Sequence, residues 1–188
     1  SSEHDVGSPG DPAYSGTVHL AAYKLDGTKL WKNDIALGKN VYSSAHTLQF
    51  LVYDFDGDGK DTLMVYTPGN NEDTATVDSI KEYTFSGDTL TDKGRVINLG
   101  DVIDGGRNAL KAMLYHDGNG DNELRAHLSV DMEVGDVDMD GIDELAMTVN
   151  VNDLKKSEYE LDGKTYTNFE KSYLTVYDYN NSNKWSRV

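Results

Sequence analysis

The chain has 188 residues, 37% of them hydrophobic, so it is long enough for one domain with a core of its own. It contains no cysteine, which excludes disulfides and thiolate metal sites. The 33 acidic residues against 17 basic ones give a net charge of -16, which argues against nucleic acid and anionic membranes as partners because the interaction would be repulsive. No stretch approaches the roughly 18 apolar residues of a membrane span, so we expect no membrane insertion.

Three segments share the pattern of a β-hairpin, in which two alternating strands flank a polar turn. The first is residues 20–31, LAAYKLDGTKLW, and the others are residues 81–90 and 174–185. Each segment places a tyrosine at the same position of its first strand: Tyr23, Tyr83 and Tyr177. Because the position recurs, we expect these tyrosines to pack against neighbouring side chains.

An acidic loop, DFDGDGKDT, follows the first hairpin at residues 54–62. Carboxylates at loop positions 1, 3 and 5 followed by glycine at position 6 are typical of the first half of an EF-hand-type calcium loop. Alternate residues of a curling loop point inward, and the turn at Gly59 lets the next carbonyl face the same ion. The expected calcium ligands are Asp54, Asp56, Asp58, the carbonyl of Lys60, and Asp61 or Thr62. Position 12 is Val65 rather than glutamate, and the flanking stretches favour strands, so we predict an ion held in a β-hairpin turn.

A second, degenerate acidic loop lies at residues 115–124, YHDGNGDNEL. Alignment of its Gly120 with Gly59 places tyrosine at the first ligand position. An alternative register starts two residues later and puts Asn122 where glycine belongs, which asparagine tolerates. We therefore expect a weaker ion here, or none, with the candidate ligands Asp117, Asn119, Asp121 and Glu123.

A third acidic loop, DVDMDGIDE at residues 136–144, repeats the pattern of the first. Its expected calcium ligands are Asp136, Asp138, Asp140, the carbonyl of Ile142, and Glu144. Three carboxylates at close range repel each other without a cation, and the stretch that follows the loop, LAMTV, favours a strand. We therefore predict two strong calcium sites in β-hairpin turns, one in each complete loop.

The hairpins and acidic loops recur with a unit of about 60 residues, in which a hairpin is followed by an acidic hairpin; four antiparallel strands per repeat are typical of a β-propeller blade. A further hairpin pattern at residues 159–166 indicates an inserted hairpin or a rearranged unit.

We predict an all-β, β-propeller-like fold, a partial or open propeller of four-stranded antiparallel blades with calcium loops in hairpin turns. Residues 1–16 are expected to be an irregular N-terminal segment, and residues 17–188 a single domain of two to three blade repeats. Propellers typically have 4 to 8 blades, so we expect a fragment of a longer propeller.

The acidic loops within β-repeats resemble the FG-GAP/VCBS calcium-binding propeller repeats. A longer stretch is similar to the rhamnogalacturonan lyases that are built on a calcium-rich propeller. It includes AYKLDGTKLW at residues 22–31, Leu37-Gly38, His46, and VYDFDGDGK at residues 52–60. The resemblance is strongest over residues 20–66 and implies a calcium-binding propeller associated with pectic polysaccharide.

Two functions follow as expectations. The first is an extracellular, calcium-stabilised propeller module with a polysaccharide-associated binding or scaffold role. The alternative is a rhamnogalacturonan lyase, whole or a fragment, acting by β-elimination. That reaction needs a cation or an arginine to neutralise the uronate carboxylate and a base to take a proton. His46 or a lysine is the candidate base within the similar stretch.

The partners and the compartment are expectations of the same kind. An acidic plant polysaccharide or a protein is the expected partner, and self-association or further blades of a longer protein would cover open strand edges. Calcium sites of modest affinity suit the millimolar calcium outside cells. We therefore expect a secreted or cell-surface bacterial protein.

Overall fold

The computed structural model describes residues 18–38, 50–67, 78–103, 106, 126–153, 158–161, 163–167, 171–180 and 184–188. Its strands are β1 (Val18–Leu20), β2 (Ile35–Gly38), β3 (Phe50–Tyr53), β4 (Thr62–Thr67), β5 (Ser79–Ser86), β6 (Thr89–Asn98), β7 (Ala126–Gly135), β8 (Glu144–Asp153), β9 (Glu158–Leu161), β10 (Lys164–Thr167), β11 (Lys171–Asn180) and β12 (Lys184–Arg187). A 3-10 turn at Leu99–Asp101 follows β6. The predicted all-β class is confirmed for these residues. The predicted irregular segment, residues 1–16, lies outside them.

Two four-stranded antiparallel sheets form the body of the structure. Sheet 1 has the strand order β3-β4-β5-β6, and sheet 2 has the order β12-β11-β8-β7. The strands β1 and β2 form a separate antiparallel pair, as do β9 and β10. Within the part of the chain that the structure describes, no helix has the length and apolar character needed to cross a membrane.

Each sheet joins an acidic hairpin to the hairpin that follows it in the chain. The β3–β4 hairpin carries the loop that begins at Asp54, and β4 pairs with β5. The β7–β8 hairpin carries the loop that begins at Asp136, and β8 pairs with β11. The predicted order within the unit, in which the acidic hairpin comes second, is therefore wrong. In each four-stranded sheet the acidic hairpin comes first in the chain, and the other hairpin follows it.

The hairpin pattern at residues 159–166 is confirmed as an insertion. Strands β9 and β10 pair with each other around a turn at Gly163, whose φ of 71° is a conformation that glycine adopts without strain. The pair lies between β8 and β11 in the chain but joins neither of them. Sheet 2 thus keeps the same strand order as sheet 1 despite the extra hairpin.

The first predicted hairpin, residues 20–31, is only partly formed. Its polar turn is present, since the backbone N–H of Thr28 donates to Oδ1 of Asp26 at 2.8 Å. Tyr23 and Lys29 form an isolated bridge, whereas β1 pairs further along the chain with β2. Tyr23 is 60% exposed, so the expected packing role is wrong for this tyrosine, although Tyr83 and Tyr177 are buried.

The hydrophobic core lies between the two sheets. Sheet 2 contributes alternate residues of β8, as expected for a strand with one buried face: Leu145, Met147, Val149 and Val151. In β4, Met64 and Tyr66 belong to this core, whereas Leu63 and Val65 belong to a second cluster with Trp31 and the β2 side chains. Strand β4 is therefore buried on both faces, which explains its continuous apolar sequence.

The buried tyrosines predict how stability depends on alkaline pH. Burial raises the pKa of Tyr83, Tyr177 and Tyr179 above the ordinary value of about 10. The unfolded chain therefore loses these protons at lower pH than the folded chain, so stability is intact below about pH 10 and falls as the pH rises above it. We expect the urea midpoint to be constant from pH 8 to about 9 and to decrease above pH 10. Tyr177→Phe should reduce the decrease, and a midpoint constant up to pH 11 would contradict this interpretation.

Candidate metal sites in two hairpin loops

Loop 1, residues 54–61, links β3 to β4 and is folded around its own carboxylates. The backbone N–H of Asp58 donates to Oδ1 of Asp54 at 3.1 Å and to Oδ1 of Asp56 at 3.2 Å, and that of Gly59 donates to Oδ2 of Asp54 at 2.8 Å. Gly57 and Gly59 have φ values of 67° and 81°, which allow the chain to turn this tightly. The loop backbone is therefore curled toward the carboxylate of Asp54.

Loop 2, residues 136–143, links β7 to β8 and repeats this geometry. The N–H of Asp140 donates to Oδ1 of Asp136 at 3.0 Å and to Oδ1 of Asp138 at 3.1 Å, and that of Gly141 donates to Oδ2 of Asp136 at 3.0 Å. Met139 takes the place of Gly57 and keeps a positive φ of 65°, which is uncommon for a residue with a side chain. Two segments far apart in the chain thus adopt the same turn.

The structure brings together three carboxylates in each loop. In loop 1, ligand oxygens of Asp54, Asp56 and Asp58 lie within 4.8 Å of one another. In loop 2 the corresponding group consists of Asp136, Asp138 and Glu144. Both groups offer only oxygen atoms, which are the ligands that calcium prefers.

Glu144 is the most informative of these carboxylates because it is only 2% exposed. Its Oε2 accepts a hydrogen bond from the backbone N–H of Val137 at 2.6 Å, and no described lysine or arginine forms an ion pair with it. A buried carboxylate needs a compensating charge. A cation bound beside Asp136 and Asp138 would supply that charge.

The two loops differ in the charge at position 7. In loop 1, Lys60 donates from Nζ to Oδ2 of Asp58 at 2.9 Å. This contact lowers the pKa of Asp58 and raises the pKa of Lys60. In loop 2 the equivalent residue is Ile142, which is 57% exposed. In loop 1 the positive charge of Lys60 therefore partly neutralises the carboxylates, whereas loop 2 has no charged residue at this position.

Several predicted ligands are not part of these groups. Asp140 accepts a hydrogen bond from the N–H of Ile142 at 2.8 Å but does not belong to the loop 2 group. Asp61 is exposed and Thr62 opens β4, and neither belongs to the loop 1 group. The degenerate loop lies outside the described residues, and so does the candidate base His46. The ligands predicted there are Asp117, Asn119, Asp121 and Glu123.

Aromatic side chains tie loop 1 to sheet 2, and sequence reasoning missed them. Phe55, at loop position 2, is buried and meets the ring of Trp185 edge-on, with a centroid distance of 4.8 Å and an interplanar angle of 82°. Tyr179 lies 5.0 Å from Trp185, and Nε1 of Trp185 donates to Oε2 of the buried Glu82 at 3.1 Å. The available sequence signal was an aromatic residue between two ligand positions, which loop 2 replaces with the exposed Val137.

A direct contact also joins the two loops. The hydroxyl of Tyr53, the residue before loop 1, donates to Oδ2 of Asp143, the last residue of loop 2. This hydrogen bond is the largest cause that raises the pKa of Tyr53. The two candidate metal sites are thus connected through their flanking residues.

Comparison with known proteins found similarity to one family, over a region that includes loop 1 but not loop 2. Residues 4–107 match the family described as "Rhamnogalacturonan lyase family 11, C-terminal domain". Rhamnogalacturonan endolyase YesW of Bacillus subtilis (strain 168) is 53% identical over 60 residues, which is 32% of this chain and 9% of YesW. Rhamnogalacturonan exolyase YesX of the same strain is 50% identical over 60 residues, 32% of this chain and 10% of YesX. The crystal structure of exotype rhamnogalacturonan lyase YesX superposes with a TM-score of 0.42 and 24% identity, over 85% of this chain and 27% of that chain.

Proposed function

The chain belongs to the family of the C-terminal domain of rhamnogalacturonan lyase family 11, and from this premise we propose that it is a calcium-stabilised part of a lyase that cleaves rhamnogalacturonan by β-elimination. The family match over residues 4–107 carries the proposal, because it includes loop 1. The regions matched in the two Bacillus relatives amount to 9% and 10% of their own lengths. The activity is therefore proposed for the lyase to which this chain contributes.

The residues of both loops fit a calcium ion. Asp54, Asp56 and Asp58 would hold one ion, and Asp136, Asp138 and Glu144 would hold the other. Hard oxygen donors favour calcium over the transition metals that prefer nitrogen or sulfur. When bound, calcium neutralises these carboxylates and stabilises the turns between the strands. This role is structural, and the proposal assigns the ions no part in bond cleavage.

The sheets support a propeller architecture of the FG-GAP/VCBS type. Sheets 1 and 2 both begin with an acidic hairpin and continue with a second hairpin, and both have four antiparallel strands. Repeated four-stranded sheets packed face to face are typical of propeller blades. In this proposal further blades of the same lyase, or a second copy of the chain, cover the outer faces. Calcium sites of modest affinity suit the millimolar calcium outside cells, so we propose a secreted or cell-surface location.

A non-catalytic module that binds acidic plant polysaccharide is the second candidate function. The observation that favours it is the composition of the two candidate metal groups, which consist of carboxylates without a histidine. His46, a candidate base from the similar stretch, lies outside the described residues. The two candidates differ in turnover and can be separated by one assay.

β-Elimination leaves an unsaturated uronate end that absorbs ultraviolet light. We expect the lyase that contains this chain, supplied with rhamnogalacturonan and calcium, to produce a rise in absorbance that is absent with polygalacturonate, the matched polymer without rhamnose. His46→Ala should abolish the rise if His46 is the base. Binding of rhamnogalacturonan without any rise in absorbance would overturn the lyase proposal in favour of the binding module.

A further inference from the structure

The hydrogen bond between Tyr53 and Asp143 joins the two loops beside their ligands. Tyr53 directly precedes Asp54, the first carboxylate of loop 1. Asp143 directly precedes Glu144, the buried carboxylate of the loop 2 group. The hydrogen bond therefore joins two residues that are each next to a candidate calcium ligand: Tyr53 beside Asp54, and Asp143 beside Glu144.

A second connection passes through the aromatic cluster. Phe55 lies between Asp54 and Asp56 in sequence and contacts the rings of Tyr179 and Trp185 in sheet 2, with centroid distances of 6.4 Å and 4.8 Å. Tyr53 in turn lies against Phe55, with a centroid distance of 5.1 Å. Loop 1 is therefore held against sheet 2, which carries loop 2, by a buried side chain at its second position.

From these contacts we propose that Tyr53 and Asp143 are positioning residues that couple the two calcium sites, so that an ion bound at one loop raises the affinity of the other. The proposal rests on the calcium sites of the proposed function. An ion that fixes Asp54 also fixes Tyr53, which holds Asp143 and so restricts Glu144. The second ion then binds ligands that are already partly ordered, so less conformational entropy is lost on its binding. This gives positive coupling. By linkage, the coupling is the same in both directions.

Electrostatic repulsion between two bound cations acts in the opposite direction. Salt screens this repulsion, with a Debye length of about 8 Å at 0.15 M ionic strength and about 3 Å at 1 M. Coupling that is carried by the Tyr53–Asp143 contact is much less sensitive to salt. Positive coupling should therefore persist, or increase, between 0.15 M and 1 M salt.

Calorimetric titration of the calcium-free protein tests the proposal. Asp56→Ala removes a carboxylate ligand, which disables loop 1 and leaves loop 2 to be measured alone. We expect the calcium affinity of loop 2 to be about 5-fold or more weaker in Asp56→Ala than in the wild type, within the range typical of coupled sites. Tyr53→Phe removes the donor to Asp143, so in its presence Asp56→Ala should no longer change the affinity of loop 2. Tyr23→Phe is the matched control, since this tyrosine is exposed, and it should leave the coupling as it is in the wild type.

The possible results separate this proposal from the one on which it rests. If loop 2 binds calcium equally well in the wild type and in Asp56→Ala, the sites are independent and the coupling is refuted while the calcium sites stand. If coupling persists unchanged in Tyr53→Phe, the assigned positioning role is refuted. Absence of calcium binding in the wild type would overturn both proposals. Should Tyr53→Phe fold poorly, Asp143→Ala removes the acceptor of the same hydrogen bond.

Discussion

Removal of calcium with a chelator is expected to lower the melting temperature of this protein by about 10 to 20 °C. An ion that binds only the folded state stabilises it by about 2.7 kcal/mol at a concentration 100 times its Kd, so two sites contribute roughly 5 kcal/mol. For a chain of this length each kcal/mol corresponds to about 2 to 4 °C. The measurement is thermal unfolding followed by circular dichroism, with calcium and with EGTA.

Single substitutions assign this effect to the individual loops. Asp56→Ala and Asp138→Ala remove the ligand oxygens and one charge at position 3. The turn is kept, because the N–H of Asp58 still donates to Oδ1 of Asp54 and that of Asp140 to Oδ1 of Asp136. Each variant should lose about half of the calcium-dependent stabilisation. In EGTA both should melt at or above the wild-type temperature, because carboxylate repulsion is relieved. Asp131→Asn, on an exposed position of β7, is the control and should behave as the wild type. A melting temperature that is indifferent to EGTA would refute the prediction.

Phe55→Ala is expected to destabilise the protein by about 3 kcal/mol or more. The ring is 7% exposed and contacts Tyr53, Tyr179 and Trp185. Truncation of a buried phenylalanine to alanine typically costs about 3 to 5 kcal/mol, because the apolar contacts are lost and a cavity is left. The measurement is urea unfolding with calcium present, in which the midpoint should decrease without a large change in slope.

The equivalent position of loop 2 provides the control for Phe55→Ala. Val137 occupies the same loop position but is 53% exposed, so Val137→Ala should change stability by no more than about 0.5 kcal/mol. Equal effects at the two positions would contradict the conclusion that loop 1 is anchored to sheet 2. That result would mean that the contacts of Phe55 with Tyr179 and Trp185 do not stabilise the packing of loop 1 on sheet 2.

The features that the sequence predicts correctly are local in the chain. Each acidic loop links two adjacent strands, so its spacing and the β-prone flanks were sufficient to predict a hairpin turn rather than a helix–loop–helix unit. The inserted hairpin around Gly163 was predictable for the same reason. The ligand assignments at Asp54, Asp56 and Asp58 stay predictions, because proximity of oxygens is a necessary condition for an ion and not its observation.

The features that the sequence did not predict depend on contacts between distant residues. Strand β4 is buried on both faces, so the periodicity of its sequence does not show which strand it pairs with, and its pairing with β5 was not predicted. The hydrogen bond from Tyr53 to Asp143 spans 90 positions, and the one from Trp185 to Glu82 spans 103. The exposure of Tyr23 also depends on pairing, since its strand forms one isolated bridge in place of a full hairpin.

The most direct test of the central claim is the calcium stoichiometry of the chain measured by equilibrium titration. Asp56→Ala and Asp138→Ala, which remove the ligand oxygens of position 3, should each bind one calcium ion fewer than the wild type, and the double variant should bind two fewer. If the double variant bound as much calcium as the wild type, loops 1 and 2 would not be calcium sites. The proposal that calcium stabilises this lyase-related domain through its acidic hairpins would then be wrong.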